Sequence, residues 1–305
     1  MGTHIAVLAN PAAGRGRGAR AATVAIDRLR GEGAVVRSYR GESAEDTVRL
    51  AAEALGAGPR SLVVVGGDGT LAGILDIVIR HSVPIVLVPA GTGNDLARAL
   101  GIPLRDPGAA AVLAVRGAPR RIDVGEIRSD LGVRLFLSVA ALGFDAKVSD
   151  RTNRLRWPRG VLRYYLALVI ELVRLRPMAF RLAVDGGQPR ALPGTLIAAG
   201  NTESYGGGMP VCRGARPDDG MLDVVHVRPI GRVRLLRLFP SLLRGRHLER
   251  REVSHRRART ITVSAPGLVA YADGERVGTG VCTIGVRPGV LTIMVPREED
   301  AHAVR

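Results

Sequence analysis

A parallel-sheet α/β domain followed by an all-β sandwich is the architecture this sequence predicts. Up to about residue 122, short β-rich runs alternate with Ala-rich helical stretches. From about 123, short strands separated by turn residues dominate, the texture of an antiparallel sandwich. With 305 residues and 46% apolar side chains the chain can bury two cores. We therefore expect an α/β domain over 1–122 and a β-sandwich domain over 123–289, with a terminal segment of about 290–300 packing back on the first.

The elements follow in order. Strands are expected at HIAVLA (4–9), AVVRSY (34–39), SLVVV (61–65) and PIVLVP (84–89), with helices over 18–31, 43–56, 70–81 and 93–100. Runs buried on both faces and separated by helices indicate parallel pairing. The second domain offers RIDVGEI (121–127), RLFLSVAAL (134–142), FRLAVDG (180–186), GTLIAAGN (194–201), MLDVVHVR (221–228), RTITVSA (259–265), LVAYADGE (268–275) and LTIMVP (291–296). Two basic helical stretches, 155–175 and 232–247, interrupt it.

Charge and composition narrow the partners. The net charge is +16, and Lys147 is the single lysine among 44 basic residues. Such a balance favours an anionic partner: nucleic acid, nucleotide or an anionic membrane surface. An aromatic content of 3%, with no zinc-finger spacing, argues against nucleic acid. Cys212 and Cys282 are too few for a disulfide framework and lack zinc-site spacing, which fits a reducing compartment. No apolar run reaches the roughly 18–20 residues of a membrane span, and MGTHIAVLANP has no charged region ahead of its apolar run. The expectation is a soluble, cytoplasmic chain.

Chemistry concentrates where strands end in glycine. In VVVGGDGTLAG (63–73), a hydrophobic run breaks into Gly66, Gly67, Asp68, Gly69 and Thr70. A glycine-rich strand-to-helix turn exposes backbone N–H groups and suits phosphate; a tight turn with Asp68 as helix cap is the plainer alternative. LANPAAGRGRG (8–18) and LVPAGTGNDLARALGIP (87–103) are two further loops of this kind. In a doubly wound sheet the C-terminal strand ends share one edge, so all three loops should meet at one crevice. Neither a GxxxxGK[ST] nor a GxGxxG pattern is present.

Taken in order, NPAAG, GGDGT, PAGTGNDLAR, GGGMP, PDDGMLDV and DGE resemble the diacylglycerol kinase catalytic family, which includes bacterial lipid kinases and sphingosine kinases. They span residues 10–275. GGDGT is shared with NAD kinases, whereas GTGNDLAR followed by DDGxLDV and DGE is specific to lipid kinases. The resemblance implies an NAD kinase/phosphofructokinase-like nucleotide domain, a β-sandwich lipid domain with ATP between the two, and ATP- and Mg²⁺-dependent phosphorylation of a lipid hydroxyl. Diacylglycerol, giving phosphatidic acid in phospholipid metabolism, is the expected substrate.

Carried onto this chain, the resemblance implies nucleotide contacts from Asn10, Pro11, Gly14, Ser38, Gly66, Gly67, Asp68, Gly69, Thr70, Thr92 and Asn94. Asp68, Asp95 and Asp123 resemble carboxylates grouped around the catalytic Mg²⁺ through water. Glu275 resembles the general base, with Asp273 organising the site; an alcohol of high pKa needs such an acceptor. Without the family, DGE reads as a hairpin turn. In RPDDGMLDV, the Asp219 side chain with the carbonyls of Arg216 and Met221 resembles a structural Mg²⁺ site; an unliganded turn is the alternative.

The pattern also departs from the family. Ala72 and Gly73 stand where Asn and Glu are common, which puts the nucleotide geometry in question. Arg15 and Arg17 stand where the family often has one basic residue. The apolar, basic-ended stretch 154–177 and the interleaved stretch 232–251 are candidates for lipid or membrane contact, with packing on the sandwich as the alternative. The implied partners are ATP, a lipid with a free hydroxyl and an anionic membrane surface at the inner face, with a homodimer as the oligomer to test and no nucleic acid. Two other readings stay open: an NAD or other small-molecule kinase, and a non-catalytic nucleotide or lipid sensor.

Overall fold

The computed structural model describes residues 3–155, 157–158 and 161–297, the side chains of Arg15 and Val161 excepted. The chain divides into two compact units: residues up to Val124 together with the segment from Pro288, and Gly125–Arg287.

In the first unit β1 (Ile5–Ala9), α1 (Ala13–Gly31), β2 (Val36–Arg40), α2 (Ala44–Gly56), β3 (Ser61–Gly66), α3 (Asp68–His81) and β4 (Ile85–Pro89) alternate, followed by α4 (Asp95–Ala99) and α5 (Pro107–Arg116). The sheet is parallel, in the order β2-β1-β3-β4. Ile293, near the C-terminal end of the described residues, pairs in parallel with Ile85 and adds a last strand beside β4. Residues 298–300 of the expected returning segment lie outside the described residues. β1, β3 and most of β4 are buried and rich in Val, Ile and Leu, as strands covered on both faces must be. This order reverses direction between β1 and β3, so the crevice beyond their C-terminal ends is the natural ligand position in such a sheet.

Two details differ from the sequence reading. Helix α1 begins at Ala13, five residues early, so the glycines of the first loop are already helical. Helix α5 was not anticipated; its Ala-rich run is nearly all buried, with Pro107 at its start and the Asp106 side chain capping Ala109 N–H at 2.9 Å.

The second unit contains β5 (Ala118–Ser129, entering from the first unit), β6 (Gly132–Phe136), β7 (Val139–Gly143), α6 (Phe144–Arg154), α7 (Val161–Val173), β8 (Arg181–Val184), β9 (Arg190–Ala191), β10 (Leu196–Gly200), β11 (Leu222–Val227), α8 (Arg232–Leu243), β12 (Val253–Ala258), β13 (Thr260–Ala272) and β14 (Glu275–Val295), which runs on into the first unit. Strands β12, β11, β10, β7, β13 and β14 follow one another antiparallel. Phe136, Phe180, Leu222, Ile261 and Ile284 anchor the main core, and a second cluster around Val211, Val225 and Ile230 lies under α8.

Several expected strands merge or split here. RLFLSVAAL breaks at Leu137–Ser138 into β6 and β7. RTITVSA and LVAYADGE form the single strand β13, whose register shifts between Ser264 and Val269 across Pro266 and Gly267. Helix α6 is an addition. The stretch 155–175 becomes α7 alone, with Arg156, Arg159 and Gly160 outside the described residues. Among the described residues, no helix is long and apolar enough to cross a membrane.

Candidate functional site

Three glycine-rich loops of the first unit are locked together at the C-terminal ends of β1, β3 and β4. Asn10, the first residue after β1, donates its Nδ2 to Thr70 Oγ1 at 3.4 Å and accepts Ala12 N–H at 3.1 Å. One side chain thus joins the first loop to the first turn of α3. Pro11 sits in the same half-buried turn.

Gly14 has φ +58°, and a Cβ there would run into the Ala90 carbonyl oxygen. Arg17 ties the same two segments, donating Nε to Gly14 O at 3.0 Å and a terminal nitrogen to Gly91 O at 3.1 Å. Its guanidinium therefore holds the loops together; the Arg15 side chain lies outside the described residues. Gly67 and Gly91 approach so closely that a Cβ on Gly91 would lie 2.6 Å from Gly67 Cα. Backbone-to-backbone contact of this kind explains why both strand ends carry glycine.

Asp68 is the centre of this arrangement. It is the first residue of α3 but caps another helix: its carboxylate accepts the N–H groups of Asp95 at 3.0 Å and Leu96 at 3.3 Å, at the start of α4. Burial holds the Asp68 carboxyl above the ordinary aspartate range; the charge of Asp95 adds to this, and hydrogen bonds from the Asp95, Leu96 and Asn94 backbone oppose it. Asn94 adopts a left-handed conformation, φ +55°, and closes its own ring by accepting Gly91 N–H and donating to Gly91 O. Asp95 is 3% exposed, whereas Thr92 is exposed on the loop. Gly66, Gly69 and Thr70 form the rest of the turn, with Thr70 N–H returning to Gly67 O at 2.9 Å.

A hollow of about 240 Å³ opens beside these loops, lined by Asn10, Gly69, Thr70 and Gly73 and by Ala44, Glu45, Thr47 and Val48 of α2. The α2 residues were missed from the sequence, in which a local signal marks only where the helix starts. Ser43 and Asp46 make a reciprocal capping arrangement, Ser43 Oγ accepting Asp46 N–H and Asp46 accepting Glu42 N–H, each at 3.0 Å, which fixes the start of α2 against the hollow. Gly73 contributes no side chain, so this wall is open where a Glu is common in the resembled family.

Two expected residues sit apart from this cluster. Ser38 is exposed on β2, paired with Val7 within the strand and not at its end. Asp123, 2% exposed within β5, accepts Gly289 N–H at 2.7 Å and thereby ties β5 to the returning C-terminal segment.

The donor chemistry of Asp68 and Asp95 fits a hydrated divalent cation: two like charges, one half-buried and one buried, interact there, and a cation would relieve their repulsion. Among the described residues, no group of three or more His, Cys, Asp or Glu side chains could hold an ion directly.

In the second unit, Asp273 and Gly274 form a two-residue hairpin turn between β13 and β14, both with positive φ, 48° and 84°. The Asp273 carboxylate accepts Leu137 N–H at 2.6 Å and Ser138 N–H at 2.9 Å, where β6 breaks from β7. Glu275 follows as the first, exposed residue of β14, opposite Ala272. Its neighbours Tyr271 and Arg276 both reach Asp150 of α6, at 3.1 and 3.9 Å.

The turn Arg216–Met221 does not fit Mg²⁺. Asp219 accepts Met221 N–H at 3.1 Å with one oxygen, and its other oxygen is taken by the Arg257 guanidinium, while Arg216 Nε faces Asp218 at 3.4 Å. A guanidinium occupies the coordination that the resemblance gives to the ion.

Next to the GGGMP stretch lies a half-buried pair. Tyr205 donates its hydroxyl to Asp145, the second residue of α6, and burial raises the Asp145 carboxyl to about 6, with the Tyr205 bond opposing. Gly206, Gly207 and Gly208 all have positive φ and let the chain return to pair Met209 with Tyr205.

Comparison with known proteins agrees across the chain. Residues 4–127 match the diacylglycerol kinase catalytic domain, and residues 138–295 match the YegS C-terminal NAD kinase beta sandwich-like domain. A Mycobacterium tuberculosis protein named diacylglycerol kinase is 42% identical over 294 residues, 96% of this chain and 95% of its own length. A Pseudomonas fluorescens protein named probable lipid kinase YegS-like is 33% identical over 260 residues, 84% of each chain. Among solved structures, a Bacillus anthracis protein described as a putative diacylglycerol kinase superposes with a TM-score of 0.77 at 21% identity, covering 96% of this chain and 97% of its own. An Archaeoglobus fulgidus NAD kinase in complex with ATP gives 0.54 at 16% identity, covering 98% and 96%. Both likenesses bear on the fold alone.

Proposed function

Given that the chain belongs to the diacylglycerol kinase family and is a lipid kinase of that family, we propose that it transfers the γ-phosphate of ATP to the free hydroxyl of diacylglycerol, giving phosphatidic acid. The observation that carries this reading is the lock between the three loops, with Asn10 on Thr70, Arg17 on Gly91 and Asp68 on Asp95.

Such a lock presents the backbone N–H groups of Gly67 and Gly69 at the start of α3, where the helix dipole favours phosphate. Asn10 and Thr70 orient the nucleotide from one side, Thr92 and Asn94 from the other, and the hollow beside α2 receives its remainder. Asp68 and Asp95 would hold a hydrated Mg²⁺, which when bound would neutralise charge on the transferring phosphate.

In the second unit Glu275 takes the proton from the lipid hydroxyl as that oxygen bonds to the γ-phosphorus. The bond from phosphorus to the β–γ bridging oxygen breaks, and ADP leaves. Asp273 fixes the turn that presents Glu275, through its bonds to Leu137 and Ser138. The lipid comes from the anionic inner face of a membrane, which a chain of net charge +16 approaches readily.

Transfer of labelled γ-phosphate from ATP to a panel of lipids in mixed micelles, with NAD and water as further acceptors, tests this. Label in diacylglycerol supports the reading, and label in another lipid changes the substrate. Label in NAD alone, or in no acceptor, overturns it.

A further inference from the structure

Helix α7 is amphipathic the wrong way round. Its inward face buries Ala167 and Glu171, the latter paired with Arg151 of α6. Its outward face carries Leu162, Tyr165, Val169 and Val173, which are 66, 55, 56 and 64% exposed. At helical spacing these four lie within roughly 80° of one another, a continuous apolar stripe turned away from the core. Ahead of it Trp157 is 77% exposed.

Helix α8 continues the pattern. Leu235, Leu238 and Leu242 pack on the core beneath it, while Val233, Leu236 and Leu243 stay exposed at 63, 55 and 55%. The two helices are joined where Arg232 Nε donates to Val173 O at 3.0 Å, the last residue of α7. Around the apolar surface the charge is of one sign. Residues 161–176 and 231–246 hold eight arginines and one acid, Glu171, which is turned inward.

We propose that this two-helix face is the membrane-docking surface: the α7 stripe, with Trp157 at its entrance, enters the interface of an anionic bilayer while Arg174, Arg176, Arg237 and Arg244 meet lipid phosphates. The proposal rests on the lipid-kinase reading only for the reason docking is needed. An apolar stripe rimmed by arginine suits lipid headgroups and repels an identical face, which disfavours a second copy as its occupant. Tryptophan is a side chain of membrane interfaces, its ring amphipathic.

The test is sedimentation with phosphatidylcholine vesicles with and without about one-third phosphatidylglycerol. Wild-type protein should sediment with the anionic vesicles and be released by high salt. Tyr165→Asp with Val169→Asp should lower partitioning at least about tenfold, and Arg237→Glu with Arg244→Glu should do the same on anionic vesicles alone. All four side chains are exposed, so each variant should melt with the wild type. On a short-chain diacylglycerol in free solution both variants should match wild-type turnover. Failure of wild-type turnover on every lipid would sink the kinase reading without touching the sedimentation result. Variants that sediment like wild type, or a wild-type dimer that Val169→Asp splits while vesicle binding persists, would overturn the docking face.

Discussion

The carboxylate of Asp68 holds the backbone of Asp95, accepting its N–H at 3.0 Å across 27 residues of chain. A residue that reads as the cap of its own helix instead fastens the helix after the next strand. Replacing it tests structure and site together. Asp68→Ala leaves the first N–H groups of α4 without their acceptor and should lower stability by about 0.5–2 kcal/mol. Loss of ATP affinity by more than about tenfold should accompany it, since the loop that carries Thr92 and Asn94 loses its anchor. Thermal denaturation and nucleotide titration measure the two effects separately.

Glu275 offers the reverse case. The side chain is exposed and its turn is held by Asp273, so Glu275→Gln should fold as the wild type does. Turnover should fall about 10²–10⁴-fold, with ATP affinity unchanged. Turnover retained in that variant would remove Glu275 from the role of base.

Gly14 and Gly73 should respond in opposite directions. Gly14→Ala puts a methyl group against the Ala90 carbonyl at φ +58° and should cost about 1–3 kcal/mol, with a raised KM for ATP. Gly73 lies inside α3 with nothing within 4 Å of a new Cβ, so Gly73→Ala should stabilise by about 0.5–1 kcal/mol. Denaturant melts of the two variants decide this.

The half-buried Asp145 makes stability depend on pH. Its folded carboxyl titrates at about 6, above the ordinary value of 3.8, so the folded state holds the proton more tightly. The stability this contributes is fully present below about pH 4 and is lost as pH rises through 6. Asp145→Asn keeps an acceptor for the Tyr205 hydroxyl without the charge. The variant should match wild type near pH 4 and exceed it near pH 7 by on the order of 1–3 kcal/mol, as melting curves across that range would reveal.

Arg257 on Asp219 predicts indifference to metal at that turn. Any response of melting to Mg²⁺ or a chelator should be the same in wild type and in Asp219→Asn. Arg257→Ala should respond more strongly than either, by opening the oxygen that the guanidinium holds.

What the sequence disclosed follows from the physics of each element. The meeting of three glycine loops was legible because buried parallel strands ending in glycine constrain the sheet edge, and the Asp273–Gly274 turn because two positive-φ residues suit a tight hairpin. Strand β12 was not: VSHRRA is polar and short, and pairing with β11 alone makes it a strand. Helix α6 was hidden for a related reason, since FDAKVSDRTNR has little apolar signal and only Ala146 and Val148 are buried. Ala44, Glu45, Thr47 and Val48 reach the hollow by tertiary placement, which no local motif encodes.

The pairing of Ile293 with Ile85 also sets an order of assembly. A ribosome delivers β1, β3 and β4 first, yet the strand beside β4 comes about 200 residues after it, with the Gly289 N–H that Asp123 accepts. Until those residues emerge, β4 is an uncovered edge, and the nascent chain must wait with its parallel strands open to wrong pairing. The unit that starts to form first closes only after the second has been made.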